Sequence, residues 1–175
     1  MSTNLNSIAA RAILFMFIVG GPVWAEQIAI IPDTQGYTAN AANHEILLEQ
    51  TRWIAENSEA AELALITHVG DIISYRGSLN QDEQWRFADE NYDQFDGSVP
   101  YSVAYGNHDF DTFMDSSAGS TTAQSWFGAQ RYEAYEWFGG SSPSGESFYQ
   151  FFNIGDQRLL HVAIKFDPDE ATLAW

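Results

Sequence analysis

The chain of 175 residues contains no cysteine. This absence excludes disulfide bonds, zinc sites built from thiolates and a cysteine nucleophile, and it leaves carboxylate, imidazole, amide and hydroxyl groups for any chemistry. Positive charge is also scarce, because 7 Lys and Arg residues stand against 24 Asp and Glu residues, for a formal net charge of −17. A surface this acidic repels nucleic acid and anionic lipid, so we expect no nucleic-acid polymer among its partners.

The first 25 residues have the pattern of a secretory signal peptide. Arg11 is the only charged side chain before Glu26, an apolar run over residues 12–19 follows it, and small residues precede a cleavage point after Ala25. We therefore expect a secreted or periplasmic protein whose folded domain covers residues 26–175. The apolar run is too short to span a bilayer comfortably, so no stable membrane span is expected after cleavage; an uncleaved anchor or a buried helix is the alternative.

Residues 26–175 begin with an alternation of short apolar runs and stretches of helical periodicity. Apolar runs typical of strands buried on both faces lie at residues 27–32, 63–69 and 99–105. Apolar residues recur at helical spacing over residues 43–57 and 82–95. This order predicts an α/β fold in which the first three strands run parallel.

The rest of the chain has a weaker pattern. Residues 111–147 show no clean period, which predicts a long surface loop with a short helix around residues 123–127. Two further strands are predicted at residues 147–154 and 158–166. Asp167 followed by a proline predicts the start of a last helix.

Each of the first three predicted strands ends in a short polar cluster. The clusters are Asp33-Thr34-Gln35, Gly70-Asp71 and Gly106-Asn107-His108-Asp109. Because the carboxyl ends of parallel strands lie along one edge of a sheet, we expect the three clusters to converge in space. Asp33 and Gln35 are two residues apart and can point to the same side of an extended segment. Tyr37 follows them and could line the same pocket.

The residue types in these clusters suit a metal site. Asp71 supplies a carboxylate that could bridge two cations, and Asn107 supplies a neutral carbonyl oxygen. His108 supplies an imidazole, a group able to transfer protons near neutral pH. Asp109 can orient that imidazole or its neighbours by hydrogen bonding. His68 is expected inside the second strand, with a supporting role at the site as the alternative.

The ordered set of clusters resembles the calcineurin-like metallophosphoesterases. That family carries Asp-x-His, Gly-Asp-x-x-Asp and Gly-Asn-His-Asp/Glu in this order, and later histidines that end in Gly-His-x-His. The resemblance covers roughly residues 27–175, the N-terminal half of such a catalytic domain. It implies a layered β-sandwich flanked by helices, a centre with two divalent metal ions, and hydrolysis of a small phosphate mono- or diester by metal-activated water.

Carried over residue by residue, the resemblance assigns a role to each cluster. Asp33 looks like a ligand of the first metal, Asp71 like the carboxylate that bridges both metals, and Asn107 like a ligand of the second. His108 looks like the residue that stabilises the transferring phosphoryl group or protonates the leaving oxygen.

The sequence departs from the family pattern at three points. Gln35 replaces the first histidine, as in some secreted members with Pro-Asp-Thr-Gln, and its amide oxygen would favour Mn, Fe or Mg over Zn. Ser74 replaces the second acid of the Gly-Asp block. Gly-His-x-His is absent from the sequence, and His161 lies in an apolar run typical of a strand. We therefore expect the remaining ligands beyond Trp175, and a chain that is a fragment or a truncated reading frame.

Other functions are compatible with the same residues. Asp33 after a strand is also typical of a turn former or a helix cap. An exported binding module without catalysis, or an inactive truncated product, is one alternative. A glycosidase that uses paired carboxylates is another, although it leaves Asn107 and His108 unexplained. The sequence leaves the metal identity, the ester type and the oligomeric state open.

Overall fold

A computed structural model describes residues 26–175, so the predicted signal peptide lies outside the described residues. The first three strands form one parallel sheet in the order β1-β2-β3. These strands are β1 (Gln27–Ile31), β2 (Leu63–His68) and β3 (Tyr101–Val103). The prediction of parallel strands from the apolar runs is therefore confirmed, with strands that are one to four residues shorter than expected.

Helices connect the strands of this parallel sheet. They are α1 (Gln35–Thr38), α2 (His44–Asn57) and α3 (Gln81–Tyr92). The two long helices were predicted, whereas α1 is a single turn where we expected only a polar turn. The first turn of α3 is held by a capping box between Asn80 and Glu83, which satisfies backbone N–H groups at both residues. Within residues 26–175, no helix has the length and apolar character needed to cross a membrane.

The second half of the described chain forms an antiparallel sheet in the order β4-β5-β6. Its strands are β4 (Phe138–Ser141), β5 (Phe148–Ile154) and β6 (Gln157–Ala163). The prediction of a long surface loop over residues 111–147 was wrong at β4. Gly139 and Gly140 have no side chains, so this strand lacks the alternation of apolar and polar residues that would identify it. A Cβ atom on Gly139 would lie 2.0 Å from the Tyr149 ring, so glycine lets that ring pack flat against the strand.

Two short helices complete the fold, α4 (Thr121–Phe127) and α5 (Glu170–Ala174). The helix predicted around residues 123–127 is thus confirmed and begins two residues earlier. The cap of α5 is Asp169, whose carboxylate accepts a hydrogen bond from the Thr172 N–H at 2.7 Å. The predicted start at Asp167 was wrong by two residues.

The core lies between the two sheets and the helices that flank the parallel sheet. It is rich in large aromatic side chains, namely Trp85, Tyr92, Phe95, Tyr101, Tyr105, Phe127, Tyr132 and Phe148. Strand β5 contacts β2 and β3, so the two sheets touch. At this contact His161 Nδ1 lies 3.1 Å from Gln150 Oε1 and 3.3 Å from Ser102 Oγ, which confirms His161 as a hydrogen-bonded strand residue. The architecture is a mixed α/β fold with two three-stranded sheets.

Candidate metal centre

The three residues that we expected to meet line a single cavity. Asp33, Asp71 and Asn107 follow β1, β2 and β3, and they surround a space of about 300 Å³ at the carboxyl edge of the parallel sheet. The remaining lining residues are Val69, Gly70, Tyr105, Gly106, Ile164, Lys165 and Phe166. The tyrosine in this lining is Tyr105, whereas the sequence suggested Tyr37. The convergence follows from topology, because parallel strands present their carboxyl ends on one edge.

Gln35 connects the two carboxylates at this edge. Its Nε2 donates to Asp33 Oδ2 at 2.7 Å and to Asp71 Oδ2 at 3.3 Å. The two carboxylate oxygens therefore lie within hydrogen-bonding distance of one nitrogen atom. Asp33 Oδ1 also accepts from the Gln35 backbone N–H at 2.9 Å, which is the hydrogen bond of a turn former. Asp33 Oδ2 does not take part in this turn and contacts the Gln35 side chain instead.

Two glycines allow the second and third clusters to approach each other. Asp71 has a φ of +60°, and Gly70 before it has a φ of +104°. A Cβ atom on Gly106 would lie 2.2 Å from Asp71 Oδ1, and one on Gly70 would lie 2.8 Å from the Gly106 nitrogen. Gly106 is thus needed for close contact with Asp71 rather than for a sharp turn.

Asp109 is a buried carboxylate that holds the loops after β2 and β3 together. Four backbone N–H groups donate to it, those of Asp71 (2.9 Å), Ile72 (2.9 Å), Ile73 (3.3 Å) and Gly106 (2.8 Å). Burial raises the pKa of Asp109 to about 7, and the hydrogen bonds from Gly106 and Ile73 oppose that rise. We expected Asp109 to orient the imidazole or its neighbours. The structure places it under the backbone of its neighbours, with no bond to the His108 ring.

His108 lies beside the cavity rather than in its wall. Its backbone N–H donates to Asp71 Oδ1 at 3.0 Å, which ties it to the proposed bridging carboxylate. Its imidazole lies 4.6 Å from the Phe113 ring and 6.2 Å from the Tyr75 ring, measured between centroids. Within residues 26–175, the buried Nδ1 atom of His108 has no hydrogen-bond partner. A polar atom left in this way is a candidate contact for a ligand.

His68 joins the ends of β1 and β2 through a chain of hydrogen bonds. The Gly70 N–H donates to His68 Nδ1 at 3.1 Å, so Nε2 carries the ring proton and donates to Thr34 Oγ1 at 3.1 Å. Thr34 Oγ1 in turn donates to the Ile72 carbonyl at 3.2 Å. The expected strand position of His68 is confirmed, since it is the last residue of β2. Its side chain fixes the segments that carry Asp33 and Asp71.

The burial of His68 predicts a loss of stability in acid. Burial lowers the pKa of His68 from 6.5 to about 3, so the unfolded chain binds a proton that the folded chain excludes. Its contribution is fully present above pH 6.5 and is lost as the pH falls from there toward 3. Between pH 7.5 and 4.5 we expect the wild type to lose roughly 2–3 kcal/mol more unfolding free energy than His68→Gln. Urea unfolding at both pH values measures this difference, and equal losses in the two proteins would contradict it.

Lys165 is a wall residue that the sequence analysis missed. It is the single lysine of the chain, and its Nζ lies 2.7 Å from Glu146 Oε2 and 3.6 Å from Asp169 Oδ2. The side chains of Lys165 and Glu146 are only 3% and 5% exposed. Ser120 Oγ donates to the other Glu146 oxygen at 2.8 Å. A lysine inside an otherwise apolar run was the signal that could have identified this buried pair.

The donors around the cavity are carboxylate and amide oxygens. Within the described part of the chain, no three His, Asp or Glu side chains meet in a metal-binding group. The centre offers the carboxylates of Asp33 and Asp71, the amide of Asn107 on the wall, and the neighbouring amide of Gln35. Oxygen ligands of this kind suit hard divalent cations such as Mg²⁺ or Mn²⁺ better than Zn²⁺.

Comparison with known proteins finds a distant relative but does not place the chain in a family. A scan of protein-family profiles finds none that matches the chain. The chain is similar to the uncharacterized protein YvnB of Bacillus subtilis (strain 168), with 28% identity over 145 residues. The aligned region covers 82% of this chain and 11% of that protein, so the chain spans a small part of its relative's length. Because the name of that relative states no activity, function has to be argued from the site.

Proposed function

We propose that the chain is an exported, metal-dependent hydrolase of small phosphate mono- or diesters, of the calcineurin-like kind. The observation that carries this proposal is the convergence of Asp33, Asp71 and Asn107 on one cavity at the carboxyl edge of the parallel sheet. The order of the three motifs along the chain supports the same assignment. No single cluster would justify it, because an acid after a strand is common in turns.

The residues at this edge fit a pair of divalent cations. Asp33 and Asp71 would supply carboxylate oxygens, with Asp71 shared between the cations, and Asn107 would supply its amide oxygen. The Gln35 NH₂ group donates to the carboxylates of both Asp33 and Asp71. The same two carboxylates would attract a cation. Turning the Gln35 amide by half a turn would present its Oε1 instead, and Gln35 could then serve as a fourth ligand. When bound, such cations lower the pKa of coordinated water and neutralise phosphate charge.

The other residues of the site prepare it for the reaction. Asp109 fixes the backbone of the loops that carry Asp71 and Asn107. His108 stands next to Asn107 and can donate a proton or hydrogen bond to a phosphate or leaving oxygen. Lys165, which pairs with the buried Glu146, also contributes to the lining of the cavity. Since the chain carries a net charge of −17, an anionic ester can approach only where cations invert the local field.

The His108→Ala variant tests the proposed reaction. We expect turnover of bis(p-nitrophenyl) phosphate to fall by about 10²-fold to 10³-fold, because one donor to the developing charge is lost. Manganese content, measured by elemental analysis after gel filtration, should stay at the wild-type value, because the His108 imidazole lies outside the cavity wall. Full activity of the variant on an alkyl ester with a poor leaving group would overturn the role given to His108.

An exported binding module without catalysis is the second candidate. It is favoured by the presence of only two carboxylates at the centre, with no third His, Asp or Glu joining them in the described residues. Metal analysis followed by the phosphodiester assay on the wild-type chain separates the two. Bound metal with turnover supports the hydrolase, and the absence of both supports the binding module. Sugar release that needs no metal would instead support a glycosidase.

A further inference from the structure

Three rings pack together beside the candidate centre, and one of them is the imidazole of His108. We call Tyr75, His108 and Phe113 the aromatic cluster. The Phe113 ring lies 4.6 Å from the His108 ring and 5.4 Å from the Tyr75 ring. The Tyr75 hydroxyl donates to the Phe110 carbonyl, which fixes its ring in this position. The imidazole proposed to act on the leaving oxygen therefore has aromatic rings packed against one side.

Two large apolar side chains next to each other in the chain, one of them in the aromatic cluster, are exposed to solvent. Phe113 is 42% exposed and Met114 is 59% exposed. They are the only apolar residues in the otherwise polar stretch 111–117. A single exposed apolar residue is normal on any surface, so exposure by itself decides nothing. What matters is whether the backbone holds these side chains at the site.

The backbone does hold them there, in a strained conformation. Met114 has a φ of +59°, a region that costs free energy for any residue with a side chain. Its N–H donates to the Asn107 carbonyl at 3.0 Å, which ties it to a proposed metal ligand. At the other end of the segment, Asp111 accepts from the N–H groups of Thr121 at 2.9 Å and Thr122 at 3.0 Å. The segment is anchored both at the candidate centre and at α4.

We infer that Phe113 and Met114, together with Tyr75, form a platform that receives a flat aromatic group on the leaving oxygen of the substrate. This inference rests on the proposed function. If His108 acts on the leaving oxygen, the group attached to that oxygen must lie on the His108 side of the cavity, where these apolar side chains are exposed. The substrate class is then an aryl or heteroaryl phosphate ester rather than a short alkyl ester.

The inference is tested with two phosphonates that cannot be hydrolysed. Phenylphosphonate and methylphosphonate carry the same anionic group, and titration calorimetry with the manganese-loaded chain measures the affinity of each. We expect phenylphosphonate to bind about two- to tenfold more tightly, the range of one aromatic contact. Phe113→Ala should remove this preference. Trp53→Ala is the matched control, because Trp53 is 61% exposed on α2 and is not among the residues that line the cavity, so the preference should persist in that variant.

The outcomes separate the platform from the proposed function. Equal affinity of the wild-type chain for the two phosphonates, or a phenyl preference that survives Phe113→Ala, would overturn the platform and leave phosphoester hydrolysis standing. Failure of both phosphonates to bind, with manganese present, would overturn the proposed function and the platform with it. A lower kcat/KM of Phe113→Ala for p-nitrophenyl phosphate, with an unchanged value for an alkyl phosphate, would support the platform independently.

Discussion

We expect Asp71→Asn to lose metal binding and phosphoester turnover together. The substitution removes the negative charge that is proposed to lie between the two cations, and it puts an NH₂ group where Asp71 Oδ2 accepts from Gln35 Nε2. Asparagine tolerates the φ of +60° at this position, and its Oδ1 can still accept from the His108 N–H. The backbone bond from the Thr34 N–H to the carbonyl of residue 71 is also unaffected. Manganese affinity and kcat/KM should each fall by more than about 100-fold, since even supporting residues of metal ligands cost 10- to 100-fold.

Asp156→Asn is the control for this prediction. Asp156 is exposed in the turn between β5 and β6, so its substitution removes the same charge far from the cavity. We expect its manganese affinity and turnover to equal those of the wild type. Calorimetric titration with Mn²⁺ and the phosphodiester assay provide both values, and thermal unfolding shows that each variant is folded. A folded Asp71→Asn chain with wild-type manganese affinity would refute the assignment of Asp71 as a ligand.

Lys165→Met should be the most destabilising of the substitutions considered. Methionine fits the volume of the lysine chain but leaves the Glu146 carboxylate buried without its cation. Breaking a buried pair in this way costs about 3–5 kcal/mol, which corresponds to a fall in melting temperature on the order of 10 °C for a domain of this size. Urea unfolding monitored by tryptophan fluorescence gives the free energy directly.

Two further variants make the result on Lys165 specific. Lys165→Met combined with Glu146→Gln should recover most of the lost stability, because no uncompensated charge remains in the interior. Arg52→Met breaks an exposed pair with Glu49, whose side chains are 43% and 59% exposed, and should cost less than about 1 kcal/mol. If Lys165→Met were no more costly than Arg52→Met, the buried pair would have no special structural role.

The parallel sheet was predictable because its signals are local. Apolar runs and helical periodicity fix β1, β2, α2 and α3, and topology then brings the polar ends of the strands together. Strand β4 was not predictable in the same way. Its glycines show no alternation of apolar and polar side chains. They are needed because the ring of Tyr149, on the neighbouring strand, packs against them.

The candidate site was predictable in its residues and less so in its contacts. Asp33, Asp71 and Asn107 were identified from their positions at the ends of three predicted strands, and the cavity they share follows from the parallel order of those strands. Lys165 is marked in the sequence by its position inside an apolar run, but its partner Glu146 could not be named, because the two residues come together only after β5 and β6 have paired. The backbone donors of Asp109 could not be predicted individually either, since three of them lie more than 35 residues earlier in the sequence.

The position of Asp109 has a consequence for how a ligand would be received. Loops at strand ends ordinarily sample many conformations, and a ligand that orders them binds more weakly for that reason. Here a single buried carboxylate gathers four amide protons from the two loops that carry Asp71 and Asn107. These hydrogen bonds set the shape of the cavity, and a cation of the proposed kind would meet loops whose backbone needs no rearrangement.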